Sequence, residues 1–151
     1  MKTEAAEGST KSGAQGVALG DRAKALAAVL RVKPESMEAH ELDLAAALLL
    51  GIAVEIRDGS PVLVGDDGQP KSFEPSTNWE DYGRLVSDIE LVVASHAMYD
   101  DQEQPEKVTG HWYSAHSYFS GTNTEGFDLR GTVLITVAKR LAHQVKYPPG
   151  R

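Results

Sequence analysis

The side chains best suited to hold a planar ligand are two tryptophans and the polar residues beside them. Asn78 and Trp79 lie in Pro75-Ser76-Thr77-Asn78-Trp79. His111 and Trp112 open the run His111-Trp112-Tyr113-Ser114-Ala115-His116-Ser117-Tyr118-Phe119. An indole offers a broad apolar face and one N–H donor, so a pocket of two indoles with Asn78 at its rim would suit a planar, nucleotide-type molecule. Asn78 also falls at an expected helix start, where unpaired amides can hold an anion or phosphate. In the second segment, alternation along a strand places Trp112, Ser114, His116 and Tyr118 on one face and His111, Tyr113, Ala115, Ser117 and Phe119 on the other. One of these faces would be a stacking platform of the kind single-strand binders use. Plainer accounts exist for both segments: a helix cap with a core tryptophan for the first, a strand packed under a helix for the second. The ligand-binding candidates are therefore Asn78, Trp79, His111 and Trp112, with His111 as the base if the site were a weak hydrolase.

Other chemistry finds little support. The chain has no cysteine, so disulfides, thiolate metal sites and cysteine nucleophiles are excluded. His111 and His116 are five apart in an expected strand and face opposite ways, and no HExxH or HxH pattern occurs, so no metal is expected. No GxSxG elbow, no SxxK and no P-loop ending is present. Asp66-Asp67 and Asp100-Asp101 fall in turn-like, solvated settings where nothing would raise a carboxyl pKa. These absences predict a protein that is not an enzyme and carries no cofactor.

The elements that must position these residues follow from periodicity. With 151 residues and 41% hydrophobic content, one core is expected. Residues 1–16 are polar and small and read as a disordered tail ahead of a single domain over 17–151. Ala23, Leu26, Ala27 and Leu30 predict a first helix, ended by Pro34. Ser36 can cap a second, whose stretch Ala45 to Leu50 is apolar all round and stops at Gly51. That stretch must be buried under a sheet or in a subunit contact, which makes Leu48, Leu49 and Leu50 candidates for a homo-oligomer interface. Ile52 to Arg57, Pro61 to Val64 and Gln69 to Phe73, separated by Asp58-Gly59 and Gly65 to Gly68, predict an antiparallel meander. Thr77 to Glu80 has capping-box form before a third helix. Ile89 to Ser95 and Val108 to Tyr118 predict strands joined by an acidic loop, Asp100 to Glu106. Thr132 would cap a last helix with Val133, Leu134, Val137, Ala138, Leu141, Ala142 and Val145 on one face. The expected fold class is α+β: a small, mainly antiparallel sheet packed with three to four helices, an αβα sandwich being one such arrangement.

Three spaced segments and an isolated tryptophan carry a resemblance. Asp43-Leu44 through Gly51, then Pro75-Ser76-Thr77-Asn78-Trp79 leading to Arg84–Ile89, then Trp112, then Gly131-Thr132-Val133-Leu134 resemble the NinX-like family of small phage proteins. A related phage group is described as an αβα-sandwich domain. The likeness covers roughly residues 42–145 and implies a phage or prophage origin and a compact α/β arrangement, with no established activity and no catalytic residues to carry over. Tyr82-Gly83-Arg84 and the insertion around Asp100 to Glu106 depart from the pattern.

Charge bounds the partners. A net charge of −7 disfavours phosphate backbones and anionic lipid, so neither direct DNA binding nor membrane association is expected. The helix pair 20–31 and 36–50 would make a poor helix-turn-helix, because its second helix opens with Glu38, Glu41 and Asp43. Without a signal peptide or an apolar run of membrane length, the expected location is the cytoplasm of a bacterial host. The expected function is that of a phage accessory protein binding a host protein or a small ligand without catalysis. An acidic surface also suits a partner with a basic groove. The alternatives are a nucleotide-type binder or sponge and a structural, oligomer-forming phage protein.

Overall fold

The alanine-rich stretch that periodicity requires to be buried lies at the centre of the molecule. In the computed structural model, which describes residues 20–100, 104–117 and 120–148, Ala45, Ala46, Ala47 and Leu48 of helix α2 (Ala39–Leu49) are all fully buried. They pack on helix α4 (Leu129–Lys146), whose Val133, Leu134, Val137, Ala138 and Leu141 join the same core. Three consecutive alanines leave little side chain between the two helices, so their backbones approach closely and the larger residues of α4 fill the remaining space. The burial expected of α2 is thus met inside the chain. Leu48 has no surface to offer a second copy, which corrects its place in a subunit contact, while Leu49 and Leu50 are half-buried against the core.

The ends of α2 show where local chemistry acts. Its cap is Glu38, in a reciprocal box with Glu41, because Pro34–Ser36 forms a 3-10 turn and Met37 and Glu38 are extended. Ser36 comes two residues too early to serve. At the other end Gly51 adopts φ 79°, and Gly51 N–H and Ile52 N–H donate to Leu48 and Ala47 carbonyls at 3.1 and 3.0 Å, a Schellman closure.

Helix α1 (20–29) buries Ala25 and Val29, leaving Ala23 and Ala27 exposed, so the buried stripe is rotated from the expected one. The rotation turns Asp21 and Arg22 inward to bonds. Arg22 donates to the Leu48 carbonyl at 2.9 Å, and Asp21 accepts from Ile56 N–H at 3.0 Å. Both contacts join α1 to its neighbours, one of them at the electronegative end of α2.

Strands β1 (Val54–Arg57) and β2 (Ser60–Leu63) form a hairpin across Asp58-Gly59, both at positive φ, as a two-residue turn matching strand twist demands. The third strand of the expected meander is absent. Only a single bridge, Val64 to Pro70, follows the turn, and Pro70 has no N–H with which to extend a ladder.

Helix α3 (Trp79–Ile89) leads into β3 (Leu91–Asp100), which pairs antiparallel with β4 (Gln104–Ser117). A further strand, β5 (Thr122–Gly126), pairs with β4 on its other side. β5 was not expected: its sequence is TNTEG, and an edge strand needs only one inward residue, here Thr124. The acidic connection is shorter than expected because β3 and β4 run on into it. Residues 1–16 and 101–103 lie outside the described ones. Helix α4 begins earlier than expected, capped by Asp128, which accepts from Gly131 N–H at 2.8 Å. Thr132 is instead buried, donating to the Asp128 carbonyl at 2.6 Å.

The layers run sheet, α4, α2, and the fold is α+β. Ala115, Ser117 and Thr124 lie beneath α4, and the opposite face of the sheet is open, with Val92 and Met98 44% and 38% exposed. Among the described residues no helix is long and apolar enough to cross a membrane.

Candidate functional site

On the open face, the register of β3 against β4 sets His96 opposite Trp112. Their rings stack with centroids 3.8 Å apart and planes 14° from parallel. The imidazole Nε2 lies 3.0 Å from Ser114 Oγ, one residue pair along the same face. That contact fixes the ring's rotation, so Trp112 stands against a pre-set wall. Register then carries the row across the sheet: Tyr113 pairs with Gly126, and Phe127 follows on the β5 side of Trp112. Between them is a cleft of about 370 Å3 lined by Met98, Trp112, Glu125, Gly126 and Phe127. The volume is in the small-molecule range. Phe127 is 76% exposed, the barest large apolar residue of the face.

Gly126 is fixed by packing from below. A Cβ there would lie 2.6 Å from Thr132 Oγ1, so α4 reaches the sheet closely only because this position is glycine. The first turn of α4 thus backs the end of β5 on the face away from the cleft.

The second tryptophan occupies different ground. Asn78 caps α3, its side-chain oxygen accepting from Asp81 N–H at 3.0 Å, and so replaces Thr77 as the capping residue. Trp79 is 61% exposed and not a core residue, which corrects the plainer sequence reading of this segment. The Arg130 guanidinium lies 3.5 Å from its ring centroid, and Tyr82 meets its edge at 5.3 Å. Arg130 also donates to the Ser76 carbonyl at 3.0 Å, while Ser76 N–H and Oγ donate to Asp43 at 2.8 and 2.6 Å. Asp43 is buried, unlike Glu38, the exposed acid that caps the same helix. Burial pushes its carboxyl above the usual aspartate range; the two Ser76 bonds pull back, and Glu74 and Asp81 add to the rise.

Of the four candidate residues, then, Asn78 and Trp79 stand together at the start of α3. Trp112 lines the sheet cleft, whose lining residues include neither of them. His111 pairs with Ala97 on the opposite face from Trp112 and is exposed, and His116, five residues on, pairs with Val92 on the Trp112 side. Tyr118 and Phe119 lie outside the described residues. Among the described residues, three metal-capable side chains cluster at Glu38, His40 and Glu41, where both glutamates already serve the cap of α2.

Residues that sequence reasoning missed are His96, Met98, Glu125 and Phe127. The usable signal was the pairing of two long strands in a hairpin, which would have set residues of Leu91–Asp100 beside Trp112. The irregular register between Met98 and Tyr99 removes even that, because counting back from the turn gives the wrong partner. Comparison with known proteins adds no relative: no family model matches the chain, nor does any curated protein or solved structure.

Proposed function

We propose that this chain is a binding protein acting without catalysis, and that it takes a small planar ligand on the open face of its three-stranded sheet. The observation that carries this reading is the His96–Trp112 stack standing at the edge of an aromatic-walled cleft. An indole held rigid by a neighbouring ring loses little freedom when a ligand lies against it, so contact area converts efficiently to affinity. The cleft's size and its exposed phenyl and thioether walls suit a molecule of one or two rings.

The phage or prophage setting belongs to the same proposal. It is supported by the meeting of two of the segments that carry the NinX-like resemblance beside the start of a third: Asp43 accepts from Ser76, and the Ser76 carbonyl accepts from Arg130, the residue before Gly131. Segments distant in sequence would keep their spacing if they form one hydrogen-bonded cluster.

A thermal-shift screen against planar compounds, nucleotides and cyclic dinucleotides included, tests the binding reading, since a ligand selective for the native state raises the melting temperature. A hit lost in Trp112→Ala and retained in Trp79→Ala is the expected result. A hit that depends on Trp79 and survives Trp112→Ala would overturn it.

A further inference from the structure

We infer that the ligand of the Trp112 cleft is a planar organic cation, an inference that rests on the binding reading above and goes on to name the ligand's charge. Trp112 and Phe127 line the cleft with aromatic rings, whose faces are the negative part of the quadrupole, and Met98 adds a polarizable sulfur. Among the described residues Glu125 is the charged member of the lining, and no lysine or arginine joins it. Among the described residues no ion pair engages Glu125, whereas Arg57, Arg84 and Lys139 each pair with a carboxylate elsewhere. A cation seated against these rings would gain from a π face and from the carboxylate, with part of its hydration replaced by groups already in place. The net charge of −7 draws cations toward the molecule and opposes phosphates. A nucleotide would fit the rings by shape but would bring its phosphates toward Glu125. The chemistry that fits both shape and charge is a flat heteroaromatic ring bearing a positive charge, such as an N-alkylated pyridinium or a protonated purine-like base.

Three probes of one scaffold isolate the charge: 1-methylnicotinamide as cation, nicotinamide as neutral ring and nicotinate as anion. Each is titrated into the full chain, and binding is read from the indole N–H resonance of Trp112, assigned by its loss in Trp112→Phe. The expected result is that 1-methylnicotinamide binds at least about tenfold more tightly than nicotinamide, with nicotinate weakest. In Glu125→Gln, at an exposed position where melting should be unchanged, that advantage should fall to about threefold or less. Equal binding of the cation and the neutral ring, or tighter binding of nicotinate, overturns the cation inference and leaves the binding reading standing. No shift of the Trp112 resonance with any of the three at millimolar concentration, or a shift confined to Trp79, overturns both.

Discussion

Trp79 and Trp112 are equally prominent in the sequence and occupy opposite kinds of surroundings. Trp79 belongs to a network closed on itself: its ring lies under Arg130, Arg130 holds Ser76, and Ser76 is held by the buried Asp43. Trp112 is braced from one side only, by His96, and lines a cleft with Glu125 and Phe127. A closed network spends its hydrogen bonds on the fold, whereas a braced ring beside a carboxylate that no described residue pairs with keeps its interactions for something else. Substitutions around Trp79 should therefore register as stability, and substitutions around Trp112 as binding.

The largest loss should come from the core that carries both regions. Leu48→Ala removes a fully buried side chain between α2 and α4 and should cost about 3 kcal/mol by urea unfolding, with the chain remaining the same size in sedimentation. Asp43→Ala should follow at about 2 kcal/mol, because two Ser76 donors lose their acceptor in a part-buried site. If it costs under about 0.5 kcal/mol, the network around Trp79 is not holding the fold. Gly126→Ala should cost about 1–2 kcal/mol and weaken any Trp112 ligand, since the new methyl must push against Thr132 of α4 and so shift the end of β5, whose Glu125 and Gly126 line the cleft.

A pH series separates the regions more finely. The folded-state carboxyl of Asp43 is raised above its unfolded value of 3.8, so its contribution favours the native state below that value and is lost as pH rises through the folded value. Removing it in Asp43→Asn should make the unfolding free energy climb more steeply with pH between 3 and 7 than in the parent, as followed by urea titrations along that range. Parallel curves would mean that burial does not shift this carboxyl. The smallest stability effect belongs to Trp112→Ala, expected to cost about 1 kcal/mol on a half-buried, open face while abolishing ligand-induced stabilisation. A large loss of stability with ligand binding intact would reverse the roles assigned to the two indoles.

Legibility tracked the range of the interactions involved. The burial of Ala45 to Leu48, the stop at Gly51, the Asp58-Gly59 hairpin and the apolar stripe of α4 as far as Leu141 could all be read directly, because each depends on residues within a few positions of one another; Val145, expected on that stripe, is 48% exposed where the helix runs past the core. The caps that the sequence suggests fall within a few residues of the observed ones, on a neighbouring side chain. Ser36, Thr77 and Thr132 are each chemically able to cap, and Glu38, Asn78 and Asp128 do so because the backbone turns extended at those residues. β5 escaped notice for another reason: a five-residue edge strand with one buried threonine has no periodicity to detect. Within the candidate site, Trp112 and its face-mates Ser114 and His116 were legible from alternation alone.

Local stereochemistry was thus enough to say which residues of a segment share a face, since a helix repeats every 3.6 residues and a strand every two whatever surrounds them. The tertiary structure alone decided which segments meet. His96 comes to rest on Trp112, and Glu125 and Phe127 complete the cleft, because the register of three strands is set by packing Ala115, Ser117 and Thr124 under α4. That packing sums contacts between residues far apart in sequence, so no short stretch of the chain carries its signature.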